Sequence, residues 1–153
     1  MGEVQRVTKK RDYYAESRRL RMEVITMANS LVNNPLHFVV ENGITMNVEI
    51  TKSDLKTIVS KMTKDNKFNA IKNSLAKDIK GFLERGKYEG WSEAKKGKHP
   101  ESAYFVYYSR TFRVKAYLCV RKMKNGGHYK PYAIIDQATF NHDVGDVKKG
   151  TPT

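Results

Sequence analysis

The hydrophobic pattern of this chain changes its period at Trp91, and that change constrains the fold more than any other feature. Before it, apolar residues recur at helical spacing. Beyond it, they crowd into short runs rich in Tyr, Phe, Val and Ile, the pattern of strands.

In the first part, Leu20, Val24 and Met27 predict a helix from Asp12 to about Asn29, with Arg18, Arg19 and Arg21 clustered near its middle. Asn33-Asn34-Pro35 ends it, because proline disfavours a helical residue before itself. Leu36 to Val40 and Ile44 to Ile50 flank Glu41-Asn42-Gly43, and Asn-Gly between β-rich runs predicts a hairpin. A second helix starts at Thr51 or Ser53, with Leu55, Ile58, Val59 and Met62 as its apolar stripe. A third runs from about Asn66 to Glu84. Phe68, Ile71, Leu75, Ile79 and Phe82 or Leu83 share one face, and Lys67, Lys72, Lys77 and Lys80 the other. Gly86 suits a left-handed residue at its end.

In the second part, Ser92 to Pro100 reads as a polar, lysine-rich loop. Three antiparallel strands follow, at Ala103–Ser109, Phe112–Lys122 and Tyr129–Gln137, the last two joined by Lys124-Asn125-Gly126-Gly127. The polar tail from Asn141 to Thr153 is expected to fray, and residues 1–11 to be flexible. With no repeat or low-complexity linker, the 153 residues read as one α+β domain with its core in about 36–140. The expected order is N-terminal helices with a β-hairpin, then an antiparallel β-meander packed on a helix.

Lys and Arg total 29 against 16 Asp and Glu, a formal charge of +13. Such a charge opposes compaction, so it points to an acidic partner. Nucleic acid comes first, RNA ahead of DNA, before an anionic membrane surface or an acidic protein. The single cysteine, Cys119, excludes an internal disulfide and a multi-cysteine zinc site. The charged N-terminus, with no apolar run behind it, argues against a secretory signal, and no stretch is long enough to span a bilayer. Gly2 does not read as a myristoylation site, because Arg6 stands where Ser or Thr is wanted. A cytoplasmic compartment without a membrane partner is the simplest reading, although a toxin module cut from a larger exported protein would look the same.

The strand Phe112–Lys122 is the most informative segment for chemistry. Alternation puts Phe112, Val114, Ala116, Leu118 and Val120 on a core face, and Arg113, Lys115, Tyr117, Cys119 and Arg121 on the other. A two-residue turn at Asn125-Gly126 would set Arg121 opposite Lys130 and Cys119 opposite Tyr132. The resulting surface of arginines, lysines and tyrosines suits an RNA backbone with unstacked bases, and it equally describes the solvated outer face of a two-layer domain. Arg110, Arg113, Lys115, Tyr117, Lys122, Lys130 and Tyr132 are the candidate RNA-binding residues.

Among His37, His99, His128 and His142, nothing has metal-ligand spacing; Asp136, His142 and Asp143 come closest. No metal or cofactor is called for. Histidine suits acid–base work at neutral pH. His99 precedes the first meander strand, and His128 sits at a turn beside Lys122, Lys124 and Lys130. The chain has no phosphate-binding loop, no dinucleotide fingerprint and no nucleophile elbow, and its carboxylates are scattered, which argues against a two-metal nuclease. Cleavage of nucleic acid would then proceed by attack of a ribose 2′-hydroxyl on its own phosphodiester, which needs a base, an acid and cations.

A helix packed on an antiparallel meander that carries basic and histidine residues resembles the barnase–EndoU–colicin–RelE superfamily of metal-independent ribonucleases. The stretch from Ile50-Thr51-Lys52-Ser53-Asp54-Leu55 through Tyr132-Ala133-Ile134-Ile135-Asp136 also resembles barnase-like domains of large polyvalent proteins from phages and mobile elements. The resemblance covers roughly Ile44 to Phe140 and rests on element order and residue character. It implies a toxin-like endoribonuclease with an immunity or antitoxin protein as partner. The positions that match the family's functional residues are His99, Arg110 or Arg121, Lys122 and Thr139. The sequence departs from the pattern in having no evident acidic base on the meander, where Glu101 is the one well-placed carboxylate. His99, Glu101, Arg121, His128 and Thr139 are therefore the candidate catalytic residues. The alternative is a non-catalytic nucleic-acid-binding or accessory module of a phage or mobile element.

Overall fold

The structure is a computed structural model and describes residues 11–41, 43–124 and 127–152. Asn42, the Asn125-Gly126 turn and the segment 1–10 lie outside the described residues.

Helix α1 spans Tyr13–Asn29, and the Asp12 carboxylate caps it by accepting from the Ala15 N–H. The hairpin follows, with β1 at Leu36–Val40 and β2 at Met46–Ile50, antiparallel in the register Phe38↔Val48. Gly43 takes φ +79, the left-handed conformation the turn demands. Helix α2, Lys52–Ser60, opens on a reciprocal cap between Thr51 and Asp54. Met62, expected on its stripe, lies past its end and is exposed.

The expected third helix is two. α3 covers Asn66–Lys77 and α4 covers Ile79–Arg85, with Asp78 (φ −125, ψ 55) between them. The Asp78 carboxylate accepts from the Gly81 N–H, so a capping residue breaks an uninterrupted apolar stripe. Gly86 is extended (φ −70, ψ 149), not left-handed, and a Cβ there would come within 2.7 Å of the Phe82 carbonyl.

Strand β3, Lys87–Ser92, was not expected. β4 (Ser102–Ser109), β5 (Val114–Lys122) and β6 (Tyr129–Asp136) match the predicted meander. The sheet order is β1-β2-β6-β5-β4-β3, antiparallel throughout except where β2 meets β6 in parallel at Val48↔Tyr129. The hairpin thus joins the meander across a short parallel seam. The molecule is α+β, as expected.

Two cores result. The larger lies between the inner sheet face and α1–α4, and includes Ile50, Leu55, Phe82, Phe105, Leu118 and Val120. The second lies on the opposite face, where α5 (Gln137–Asp143) covers β5 and β6. There Phe140 stacks on Tyr117, with ring centroids 4.0 Å apart, while Tyr104, Cys119, Ala133 and Val144 fill the rest. The tail expected to fray begins inside this helix, and Lys148 pairs through its backbone with Trp91 in both directions, at 2.8 and 2.9 Å. No helix among the described residues is long and apolar enough to cross a membrane.

Candidate functional site

α5 overturns the expected basic strip on β5. Tyr117 and Cys119 are buried beneath it, and burial pushes the Cys119 thiol up to about 12. Arg113 precedes the strand, in the β4–β5 turn at φ +55, and Arg110 is exposed in the same turn. Lys115 borders a shallow hollow with Arg85, Lys87 and Tyr108. Arg121 and Lys122 are exposed at the strand's far end, with the Lys122 N–H donating to the Glu101 carbonyl. The candidates on this strand therefore do not share a surface.

The register also differs from the prediction. Arg121 does face Lys130, but Cys119 pairs with Ala133, because the ladder shifts between Cys119 and Val120. Pro131 lies opposite Val120 and has no N–H to give the ladder, so Tyr132 becomes the extra residue of a bulge. Bulges re-aim side chains, and this one turns Tyr132 into a small cavity.

That cavity, of about 230 Å³, brings together His99, Tyr132 and Thr139 of the predicted residues. Sequence reasoning missed Lys61, Lys72 and Lys98 as site residues, and it singled out Asp136 and Asp143, which line the α5 side, only beside His142 as a metal-like spacing. Lys61 and Thr63 come from the end of α2, Lys72 from α3, and Lys98 and His99 from the β3–β4 loop. That loop is closed by backbone hydrogen bonds between Lys95 and His99 of 2.8 and 3.1 Å.

The hydrogen bonds around His99 orient its ring. Nδ1 lies 2.9 Å from the Pro100 carbonyl oxygen, which can only accept, so the proton sits on Nδ1. In a neutral ring, Nε2 then carries a lone pair, and Nε2 is buried with no hydrogen-bond partner among the described residues. The Pro100 carbonyl also accepts from Ser102 Oγ at 2.8 Å, which leaves the Tyr132 hydroxyl to donate to Ser102 at 2.9 Å. His99 and Tyr132 are thus held through one carbonyl.

The charges in the cavity are uneven. Lys72 is 2% exposed and donates to the Lys61 carbonyl. Burial, with Arg21 and Lys61 nearby, pulls its pKa down to about 8. Among the described residues, no carboxylate forms an ion pair with Lys61, Lys72 or Lys98. The two aspartates are otherwise engaged: Asp136 caps α5 through the Thr139 N–H at 2.8 Å, and Asp143 meets His142 at 2.7 Å. Thr139 therefore contributes its backbone to that cap.

The remaining candidates lie elsewhere. His128 and Lys130 approach Glu49 at 3.5 and 3.8 Å, His37 reaches it from β1 at 3.5 Å, and Lys130 meets Asp54 at 3.3 Å. This pair of histidines around one carboxylate was not foreseen, because it spans β1, β2 and β6. One Glu101 oxygen is buried with no hydrogen-bond partner among the described residues, but Glu101 does not line the cavity. A larger hollow of about 760 Å³ lies along α2 and contains no histidine or carboxylate. Among the described residues, no group of three or more His, Cys, Asp or Glu side chains is placed to hold a metal ion. Comparison with known proteins finds no family, no curated protein and no solved structure that matches this chain.

Proposed function

We propose that this protein binds RNA at the His99 cavity and cleaves it by acid–base transphosphorylation. The observation that carries this reading is the unpartnered Nε2 of His99, held as an acceptor by its neighbour's carbonyl, in a cavity of unpaired lysines. A strongly perturbed lysine in a cleft beside a histidine is a functional-site signature. In the reaction, Nε2 takes the proton of the 2′-hydroxyl as the oxygen attacks phosphorus. The bond to the 5′-oxygen breaks, and Lys72, poised near neutral pH, protonates the leaving group. Lys61 and Lys98 hold the phosphate and stabilise the added charge of the crowded intermediate. The formal charge of +13 and the resemblance of the sequence to metal-independent ribonucleases point the same way.

One observation favours a second reading. Nε2 is sealed from solvent as well as unpartnered, so in this conformation it is closed to a substrate hydroxyl, which suits a protein that holds RNA through its lysines without cutting it. A single experiment separates the two. The protein is incubated with a labelled oligoribonucleotide in EDTA, beside its 2′-O-methyl analogue and the His99→Ala variant. Cleavage of the ribo-oligonucleotide alone is expected, falling by about 10²- to 10⁴-fold in the variant, with affinity little changed. Intact RNA with a salt-sensitive gel shift would leave the binding module.

A further inference from the structure

The hollow along α2 is the feature that the cavity chemistry leaves unexplained. Its floor is apolar, made by Leu31, Val32 and Pro35, and its wall is the outer face of α2. Lys52 and Lys56 stand on that wall one helical turn apart, with Ser53 and Thr57 beside them. Lys61 ends the row and also lines the His99 cavity, so the two hollows share a residue.

This arrangement costs the helix something. Like charges at i and i+4 repel, and a lysine at the first helical position opposes the helix dipole. Among the described residues neither Lys52 nor Lys56 has an ion-pair partner, and no carboxylate lines the hollow. The Asp54 carboxylate on the same helix is turned to the Thr51 N–H and Lys130. An uncompensated row of cations and hydroxyls over an apolar floor matches a strand with phosphates on one side and bases on the other.

We infer that this groove is the lead-in track for single-stranded RNA, its phosphates carried along Lys52 and Lys56 and handed by Lys61 to the His99 cavity. The inference rests on the ribonuclease reading above and adds the substrate class, a single strand longer than the scissile dinucleotide. The row from Lys52 to Ser60 extends roughly 12 Å, room for more than one phosphate.

The test compares the wild type with the Lys52→Ala/Lys56→Ala variant, whose changes lie on an accessible helix face away from both cores. Three probes are used: a dinucleoside monophosphate, a ribo-oligonucleotide, and a labelled 2′-O-methyl oligouridylate for binding. The expected result is a fall of about tenfold or more in kcat/KM for the oligonucleotide and less than about twofold for the dinucleoside. The salt dependence of 2′-O-methyl binding flattens by roughly one to two logarithmic units of slope. If the variant cuts and binds the oligonucleotide as the wild type does, the groove assignment is overturned. If the wild type cuts neither substrate but the variant still loses affinity and salt slope, the ribonuclease reading fails and the groove stands. Loss of poly-glutamate binding in step with RNA would assign the groove to acidic peptides and overturn the RNA assignment. A wild type that neither binds nor cuts would overturn both.

Discussion

The protein carries two charged clusters built around histidine that treat charge in opposite ways. At the hairpin, His37, His128 and Lys130 gather around Glu49, and Asp54 supports Lys130, so each of these side chains has a carboxylate within 3.8 Å. At the α5 side, Lys61, Lys72 and Lys98 line the His99 cavity without an ion pair among the described residues, and the Asp136 and Asp143 carboxylates in the same lining are turned to a helix cap and to His142. A compensated cluster can be explained by the fold alone, because it ties β1, β2 and β6 across a seam with a single paired position. Lysines held together without ion pairs lower stability, so the fold alone does not account for them.

The sharpest way to break this contrast after removing His99 is Lys72→Met, which keeps the side-chain volume and removes the charge. In the folded protein Lys72 titrates near 8 instead of 10.5. Below pH 8 it is charged in both states, and the folded state bears the full desolvation cost. Between 8 and 10.5 the unfolded chain holds the extra proton, so stability rises with pH, and above 10.5 the cost is gone. The cost is at most about 3 kcal/mol, and nearer half that after allowing for solvent screening. The variant should therefore be more stable than the wild type at neutral pH, and its stability should no longer rise across that window. Urea titrations from pH 7 to 10 check this, and because Met also gives up the hydrogen bond to the Lys61 carbonyl, the deciding result is the pH dependence: a wild type whose stability does not rise across that window would show that Lys72 is already compensated. Cleavage should fall with it.

These two clusters also mark how far the sequence could be read. Element order was legible, because hydrophobic period depends on each segment alone: α1 from its stripe and Asp12, the hairpin from its turn, β4–β6 from their β-rich runs. The misses are elements decided by partners. β3 contains Gly90, at φ +141, where a Cβ would come within 2.6 Å of the Lys148 carbonyl; that close approach belongs to the tail. α5 had a readable signal, the Asp136 cap and the Phe140/Val144 spacing, but its polar residues masked it. The burial of Lys72 was hidden because a lysine on a helix reads as a solvated face. The His99 cavity draws on segments from residue 58 to residue 144, so only His99, Tyr132 and Thr139 could be picked out, each for local reasons.

Glu49→Gln sharpens the contrast from the other side. It removes the carboxylate shared by His37, His128 and Lys130, while Lys130 keeps Asp54. The expected cost is about 1 kcal/mol, a fall of about 3 °C in the melting midpoint. Cleavage should stay within about twofold of wild type. A variant that melts normally yet has lost cleavage would move the chemistry to the hairpin, with Glu49 as base, and reduce the His99 cavity to a binding site.

The smallest effect is expected from His128→Ala. Its imidazole contacts Glu49 only at 3.5 Å, and Lys130 and His37 still face the same carboxylate when it is gone. Partly exposed pairs of this length contribute less than about 0.5 kcal/mol. The urea midpoint should therefore barely move, and cleavage should persist. Because His128 and His99 are the two histidines placed among cations in the sequence, the pair of alanine variants weighs cavity against cluster directly. If the chemistry follows uncompensated charge, His99→Ala removes it and His128→Ala does not. The reverse result would mean that the loose geometry around Glu49 is a reaction centre awaiting substrate, and that the lysines at His99 only hold the strand.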